Sequence, residues 1–207
     1  MRQQWLPFGG GEHFELLHGR HAAQVAICEN VSRWREGLYA HDEAGEFVGR
    51  YAQAGALNVY QSQCGFGARR QVEALAALTS CWVDLDTYRA GDRDYTPDEL
   101  LDAAQALAPW LPTPTAVIHS GRGWYFSWVF DRPLAPEYLP KWQWVQDAIT
   151  AALEPVGADS ACRDAARVLR VVGTVNSKSG RVVSGYQQTA APVPFLALER
   201  AARGAQK

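Results

Sequence analysis

Two carboxylates stand at the end of an apolar run, in the segment Cys81-Trp82-Val83-Asp84-Leu85-Asp86. Residues two apart in a β-strand project to the same face, so Asp84 and Asp86 would lie side by side. Val83 and Leu85 would then point to the opposite face, into a core. Adjacent carboxylates repel each other, and a divalent cation such as Mg²⁺ or Mn²⁺ removes that cost. The pair indicates a metal site, and an exposed strand end before a turn is the simpler alternative.

A glycine-rich turn between residues 115–119 and 124–130 predicts a β-hairpin. The turn offers the Ser120 hydroxyl, the Arg122 guanidinium and backbone N–H groups next to Gly123. Such groups can cradle phosphate oxygens, and glycine permits the close backbone approach that this requires. No helix follows the turn, which excludes a Rossmann fingerprint and a P-loop. An ordinary hairpin with an exposed arginine is the alternative.

A basic segment follows Asp159. Between residues 163 and 181 one acidic residue stands against five basic ones, Arg163, Arg167, Arg170, Lys178 and Arg181. The three arginines fall at helical spacing and Asp159 could cap the helix, so the pattern predicts a helix with one cationic stripe. With a net charge of −2 for the whole chain, this patch would face phosphates locally. A solvated helix face is the alternative.

Together these segments resemble the motifs of the archaeo-eukaryotic primase superfamily, in particular the primase domains of plasmids and other bacterial mobile elements. The first motif is matched by Asp84 and Asp86, and the second by the segment from Ser120 to Trp128. The third is matched by Asp159 and then by Arg170, Gly173, Thr174, Asn176 and Lys178. The likeness covers roughly residues 80–183, and the order of the motifs makes it specific.

The resemblance implies DNA-templated nucleotidyl transfer, in which Asp84, Asp86 and Asp159 hold two ions of Mg²⁺ or Mn²⁺. It implies that the nucleotide contacts a second set of residues, namely Ser120, Arg122, Gly123, Tyr125, Arg170, Asn176 and Lys178. Many members place a histidine where this chain has Tyr125, so the role of Tyr125 stays open, as does that of His119. Asp164 is an alternative third ligand.

The mixed order of strands and helices predicts an α+β fold. The resemblance further implies an RRM-like catalytic sheet with flanking helices and a smaller N-terminal αβ unit. We expect one catalytic domain over residues 1–207, with a subdomain at 1–78 and a motif-bearing core at 79–190.

Local patterns predict the individual elements. Strands are predicted at 22–28, 36–41, 57–63, 115–119 and 124–130. Helices are predicted at 68–79, 97–108, 136–153 and after Pro192, and residues 1–20 are predicted to form an irregular arm. The hairpin tryptophans, Trp124 and Trp128, are predicted to lie in the core rather than to stack on bases.

The composition of the 207-residue chain is that of a folded domain, with 47% hydrophobic residues and eight tryptophans, which excludes extended disorder. No stretch of eighteen apolar residues and no N-terminal signal pattern occurs, so we expect a cytoplasmic protein without a membrane partner. The cysteines lack paired ligand spacing, so we expect no zinc site and buried free thiols at Cys28, Cys64, Cys81 and Cys162.

The implied partners are a single-stranded DNA template and ribonucleoside or deoxyribonucleoside triphosphates. About 25 residues follow Arg181, enough for one short helix, so we expect initiation to need a helicase or another replication protein. Two other functions stay open: a metal-dependent nuclease or phosphohydrolase, and a noncatalytic origin-binding module on the same fold.

Overall fold

The computed structural model describes residues 6–89, 95–187 and 191–205. The helices are α1 (Gly10–His18), α2 (His41–Gln53), α3 (Pro97–Leu107), α4 (Leu139–Ala152) and α5 (Phe195–Ala205). The strands are β1 (Leu6–Phe8), β2 (Val25–Asn30), β3 (Trp34–Tyr39), β4 (Val59–Ser62), β5 (Cys64–Phe66), β6 (Leu75–Leu85), β7 (Ala116–His119), β8 (Trp124–Leu134), β9 (Val168–Arg170), β10 (Val175–Asn176), β11 (Arg181–Val182) and β12 (Ser184–Gln187).

The described strands form two main sheets, both antiparallel. One has six strands in the order β1-β12-β7-β8-β6-β5, and the other has four in the order β3-β2-β4-β9. Strands β10 and β11 form a separate ribbon. Antiparallel sheets with helices packed against them make an α+β domain, as predicted.

Strand β8 lies inside the six-stranded sheet, between β7 and β6, and both of its faces are buried. Trp124, Phe126 and Trp128 fill one face, and Tyr125 and Ser127 lie on the other. The hairpin tryptophans are therefore core residues, as predicted.

Helix α4 packs against β6 and fixes its backbone. The Trp142 indole N–H donates to the Ser80 carbonyl at 2.8 Å. Strand β5 pairs with β6 only as far as Leu78. Further along β6, the Gln146 side chain accepts from the Trp82 N–H at 3.1 Å and donates to the Trp82 carbonyl at 2.6 Å. These bonds satisfy a buried strand edge that would otherwise lack partners. The strand that leads to Asp84 is thereby held on both sides.

The four-stranded sheet has its own core beneath α1 and α2. Its fully buried members are Phe14, Val25, Ile27, Ala44, Val48, Val59 and Val171. Strand β9 comes from the segment after α4 but pairs with β4, so this sheet combines early and late parts of the chain. The proposed division at residue 78 stays a prediction.

Two predictions about the first half of the chain are wrong. Residues 68–79 do not form a helix: a single 3-10 turn at Val72–Ala74 leads directly into β6. Strand β6 is buried on both faces along most of its length, and its first residues, 75–78, are all apolar, so periodicity cannot distinguish them from a buried helix. The described part of residues 1–20 is also not irregular, since it contains β1 and α1.

Two further elements differ from expectation. The arginine-rich segment forms turns and the short strand β9 rather than a helix, because Asp159 and Asp164 bond to backbone N–H groups two residues ahead, at Ala161 and Ala166. Helix α2 was not predicted: the expected strand at 36–41 ends at Tyr39.

The remaining predicted elements are present with small shifts at their ends. Helix α3 is capped by Thr96, whose side chain accepts from the Glu99 N–H, and Pro97 is its first residue. The core stripe of α4 and the adjoining turn is buried, with Trp142, Val145, Ile149 and Leu153 all inaccessible to solvent. Among the described residues, every helix is too short or too polar to cross a membrane.

Candidate metal and nucleotide site

Asp84 lies at the carboxyl end of β6, with Val83 and Leu85 buried on the opposite face as predicted. Asp86 follows directly after the strand, and both carboxylates are partly buried. Burial raises the pKa of Asp84 to about 7, and the neighbouring charges of Asp86 and Asp159 act in the same direction. The Asp84 carboxylate therefore stands in an environment that disfavours its negative charge unless a cation is near.

Asp159 reaches this strand end through backbone contacts. Its N–H donates to the Asp84 carbonyl at 2.8 Å, and the Asp86 N–H donates to the Gly157 carbonyl at 2.8 Å. Gly157 has a φ of 94°, and a Cβ there would lie 2.9 Å from the Asp86 carbonyl oxygen. Glycine is thus required for the turn to approach β6 so closely. This turn brings Asp159 to Asp84, and the backbone of the turn also bonds to the backbone of Asp86.

Cys162 joins the carboxylates, and sequence reasoning missed it. Its Sγ lies 3.3 Å from Asp159 Oδ2 and 3.6 Å from Asp84 Oδ2. One ligand atom from each of the three side chains lies within 4.8 Å of the others. Two carboxylate oxygens and one sulfur form a donor set that fits a divalent cation.

The prediction of a buried thiol is wrong at Cys162, which is partly exposed, whereas Cys28, Cys64 and Cys81 are buried as expected. Burial, followed by the Asp84 charge, raises the pKa of the Cys162 thiol. The one signal in the sequence is the spacing of three residues from Asp159 to Cys162, which is too common to be diagnostic on its own.

Asp164, the alternative third ligand, points to a different partner. Its Oδ2 lies 2.6 Å from Arg167 Nη2, and its Oδ1 accepts from the Ala166 N–H at 3.1 Å. The geometry therefore favours Asp159 over Asp164 as the residue that accompanies Asp84.

The turn after β7 folds tightly against the end of β6. The Ser120 hydroxyl donates to the Gly123 carbonyl at 3.0 Å, and the Gly123 N–H donates to Ser120 Oγ at 3.1 Å. A Cβ on Gly123 would lie 2.4 Å from the Leu85 carbonyl oxygen. Ser120 and Gly123 thus close the turn through their own polar groups, and Arg122 projects from it, exposed, with its guanidinium 4.3 Å from the Tyr88 ring centroid.

Asn176 connects this turn to the late basic loop. Its buried side chain donates to the Ser120 carbonyl at 2.9 Å and accepts from the Lys178 N–H at 3.1 Å. Gly121, with a φ of 95°, packs so closely that a Cβ would lie 2.7 Å from the Asn176 Cβ. The bonds place the exposed Lys178 beside the hairpin turn and its exposed Arg122.

Tyr125 on β8 and Arg170 on β9 connect the six-stranded sheet to the four-stranded sheet. Tyr125 is buried directly across from Asp84 in the β6–β8 pairing, and the side chains of Arg170 and Ser120 interact with its hydroxyl. Burial, followed by the Asp84 charge, raises the pKa of Tyr125, while Arg170 opposes this shift. The Arg170 charge also opposes, without cancelling, the rise in the pKa of Asp84. His119 instead contacts Trp124, with ring centroids 4.8 Å apart.

An aromatic surface adjoins Arg170 on the four-stranded sheet. The Arg170 guanidinium lies 5.0 Å from the Tyr60 ring centroid, and Tyr60 lies 5.7 Å from the Trp34 centroid. Trp34 is 45% exposed. Because the surface depends on β9 pairing with β4, nothing in the local sequence indicates it.

Comparisons with known proteins show what the chain resembles in sequence and in fold. No protein-family profile matches the chain. A "Replication protein" from Clostridium perfringens is 35% identical over 130 residues, which make up 62% of this chain and 30% of that protein. The chain thus spans about a third of the length of the curated relative it matches.

Solved structures resemble the fold over almost its whole length. The archaeo-eukaryotic primase domain of the cyanophage S-2L primase-polymerase matches with a TM-score of 0.66 and 17% identity, covering 92% of this chain and 94% of that one. The catalytic domain of primase RepB′, in complex with initiator DNA, matches with a TM-score of 0.55 and 13% identity, covering 95% and 94%. The chain has the archaeo-eukaryotic primase fold, as its motifs predicted.

Proposed function

We propose that this chain carries out DNA-templated nucleotidyl transfer, as primer synthesis or primer extension, in the cytoplasmic replication of a plasmid or mobile element. The observation that carries the proposal is the convergence of Asp84 and Asp159, with Asp86 beside them, at one strand end. The fold of primase and primase-polymerase domains and the likeness to a replication protein support the same conclusion.

We assign the three carboxylates to two divalent cations, Mg²⁺ or Mn²⁺. Bound there, the cations would lower the pKa of the attacking 3′-hydroxyl and stabilise charge on the triphosphate. The protein supplies oxygen ligands whose backbones are bonded to one another, so little reorganisation is required when a cation binds.

The cationic residues around the carboxylates are suited to hold the triphosphate. Arg122 and Lys178 are exposed and stand on two loops that Asn176 ties together. The Arg170 side chain interacts with Tyr125, and its buried Nε has no hydrogen-bond partner among the described residues. We infer that a nucleotide phosphate takes up this donor. Ser120 and Gly123 shape the turn rather than offering free donors.

The aromatic surface of Trp34 and Tyr60 is suited to a single-stranded template. Stacking of bases on exposed aromatic rings, together with nearby cations, is the general way in which proteins hold single strands without reading their sequence. The surface begins at Arg170, whose charge also influences the pKa of Asp84. A DNA template lying on this surface would therefore lead towards the carboxylates.

The proposal is tested by incubating the chain with a primed single-stranded template, Mg²⁺ or Mn²⁺, and labelled ribonucleotides or deoxyribonucleotides, and then sizing the products. We expect lengthened primers with wild type and with Asp102→Asn, an exposed carboxylate on α3, and none with Asp84→Asn. Shortened DNA would identify a nuclease instead. DNA binding without metal-dependent nucleotide binding would identify an origin-binding module.

A further inference from the structure

Cys162 lies beside the metal centre of the proposed function, which was described through its three carboxylates alone. We propose that its sulfur is a direct ligand of the cation held by Asp84 and Asp159, and that it biases this site towards Mn²⁺ and softer cations over Mg²⁺. This inference rests on the metal centre of the proposed function and adds a ligand and a preference to it.

The Cys162 thiol is held in place by its backbone. Its N–H donates to the Asp159 carbonyl at 3.0 Å, and its carbonyl accepts from the Trp82 indole at 2.8 Å. Trp82 is itself fully buried against Trp142. The sulfur is therefore fixed close to both carboxylates by contacts that do not depend on the sulfur itself, as expected for a preorganised ligand.

The three donor atoms are close enough to share one cation. The Sγ–Oδ2 separations are 3.3 and 3.6 Å, and all three ligand atoms fall within 4.8 Å of one another. Cys162 is also the one cysteine of the four that solvent reaches. A structural thiol would be sealed in the core, as Cys64 and Cys81 are.

The ligand types determine the preference. Mg²⁺ takes oxygen ligands almost exclusively and gives up its waters reluctantly. A sulfur ligand binds Mn²⁺ more readily than Mg²⁺, and it binds Zn²⁺ or Cd²⁺ strongly. The thiol proton passes to solvent as the metal–sulfur bond forms, and no electron is transferred. Two carboxylates and a thiolate together should bind Mn²⁺ in preference to Mg²⁺, and Cd²⁺ more tightly than either.

The direct test is a spectroscopic titration with Cd²⁺, since a cadmium–thiolate bond gives an ultraviolet charge-transfer band that carboxylates do not. Wild type and Ser160→Ala, a control in the same exposed turn, should develop the band at one equivalent of Cd²⁺. Cys162→Ser and Cys162→Ala should not. Competition of Mg²⁺ against bound Mn²⁺, followed by electron paramagnetic resonance, should show the Mn²⁺ preference fall on the order of tenfold in Cys162→Ser.

The outcomes separate this inference from the proposed function. If wild type gives no band, or the variants retain both the band and the Mn²⁺ preference, Cys162 is not a ligand, and primer extension in the same preparation would leave the proposed function standing. A band that is lost in Cys162→Ser and also in Asp84→Asn supports the mixed site, even in a preparation where no synthesis is detected. Far-ultraviolet circular dichroism of each variant verifies folding.

Discussion

Burial acts in opposite directions on two groups of titratable side chains in this molecule. The carboxylate cluster consists of Asp84, Asp86 and Asp159, where burial and like charges raise the pKa of Asp84 to about 7. The histidine cluster consists of His13, His18, His21 and His41, on and around α1. There, burial lowers the pKa of His13 to about 3 and that of His21 to about 4.

Two members of the histidine cluster, His18 and His21, are stabilised in their buried positions by hydrogen bonds that the neutral rings make. The Ala23 N–H donates to His21 Nδ1 at 3.1 Å, His21 and His18 share a bond of 2.9 Å, and His18 Nε2 donates to the Ser62 carbonyl at 3.0 Å. This chain of bonds is satisfied when each ring carries one proton. His18 and His21 therefore need no ligand, whereas the buried Nε2 atoms of His13 and His41 have no hydrogen-bond partner among the described residues.

The carboxylate cluster has no comparable internal solution. Its donors include a thiol, which is a weak hydrogen-bond donor, and its acceptors repel one another. The contrast teaches that burial alone does not indicate a ligand. What matters is whether the buried groups can satisfy one another, and at the carboxylate cluster they do so only poorly.

The largest expected difference between the clusters is in synthesis. Asp84→Asn should lower primer extension by about 10³-fold, because a cation ligand supports several kcal/mol of transition-state stabilisation. His13→Gln, at the histidine cluster, should leave extension within about threefold of wild type. Single-turnover extension assays at matched folded fraction measure both. A comparable loss of primer extension in both variants would show that the two clusters do not differ in function.

The histidine cluster should make the protein sensitive to acid. Below pH 6.5 the unfolded chain binds protons that folded His13 and His21 do not, so stability falls as the pH drops towards 4. His13 alone should contribute a loss of about 3 kcal/mol between pH 6.5 and 4. Urea unfolding of wild type and His13→Gln across this range gives the free energy of unfolding at each pH, and this free energy should depend less steeply on pH in the variant. The same dependence in both proteins would show that His13 is not the source of the acid sensitivity.

Exposed basic side chains should contribute to nucleotide binding only where they lie near the carboxylate cluster. Arg122→Ala and Lys178→Ala should each weaken nucleotide affinity by about 1.5–3 kcal/mol, and should weaken template affinity less. Arg20, an exposed arginine just after α1, is the matched control, and Arg20→Ala should change neither. Fluorescence titrations with nucleotide and with single-stranded DNA separate the two affinities. Loss of DNA binding alone would move Arg122 and Lys178 to the template surface.

The smallest expected effect is a gain in stability. A carboxyl whose pKa is raised in the folded state supports folding at low pH, and this support is lost as the pH rises through 7. Asp84→Asn should therefore have a higher free energy of unfolding than wild type at pH 8 in the presence of a chelator. The gain should be about 1–2 kcal/mol, since the asparagine amide is still polar and recovers only part of the roughly 4 kcal/mol that the pKa shift represents. At pH 4.5 the two proteins should differ little. A destabilised variant at pH 8 would mean that Asp84 is satisfied without a cation.

Some elements were predictable because their signals are local. Helix α3 has a capping residue, Thr96, and a proline in its first turn, and the β7–β8 hairpin has glycines in a short turn between apolar strands. The carboxylate pair could be placed on one strand face because alternation in a strand is a local property.

Other elements could not be predicted, because distant contacts decide them. The Ala-rich residues before Asp84 favour a helix by propensity, but their burial between β5 and β8 makes them a strand. The expected arginine helix gives way to turns, and its last residues pair with β4 instead. Local propensity is too weak to resist such packing.

The sequence by itself determined which chemical groups are present and the order in which they occur: two carboxylates after an apolar strand, a glycine turn with an arginine, and a basic segment after a third carboxylate. Tertiary structure decided which of these groups meet. Asp159 and Cys162 reach Asp84 because the Gly157 turn bonds to the end of β6, and Arg170 meets Tyr60 because β9 pairs with β4. Such contacts join residues far apart in the chain, so no local pattern encodes them.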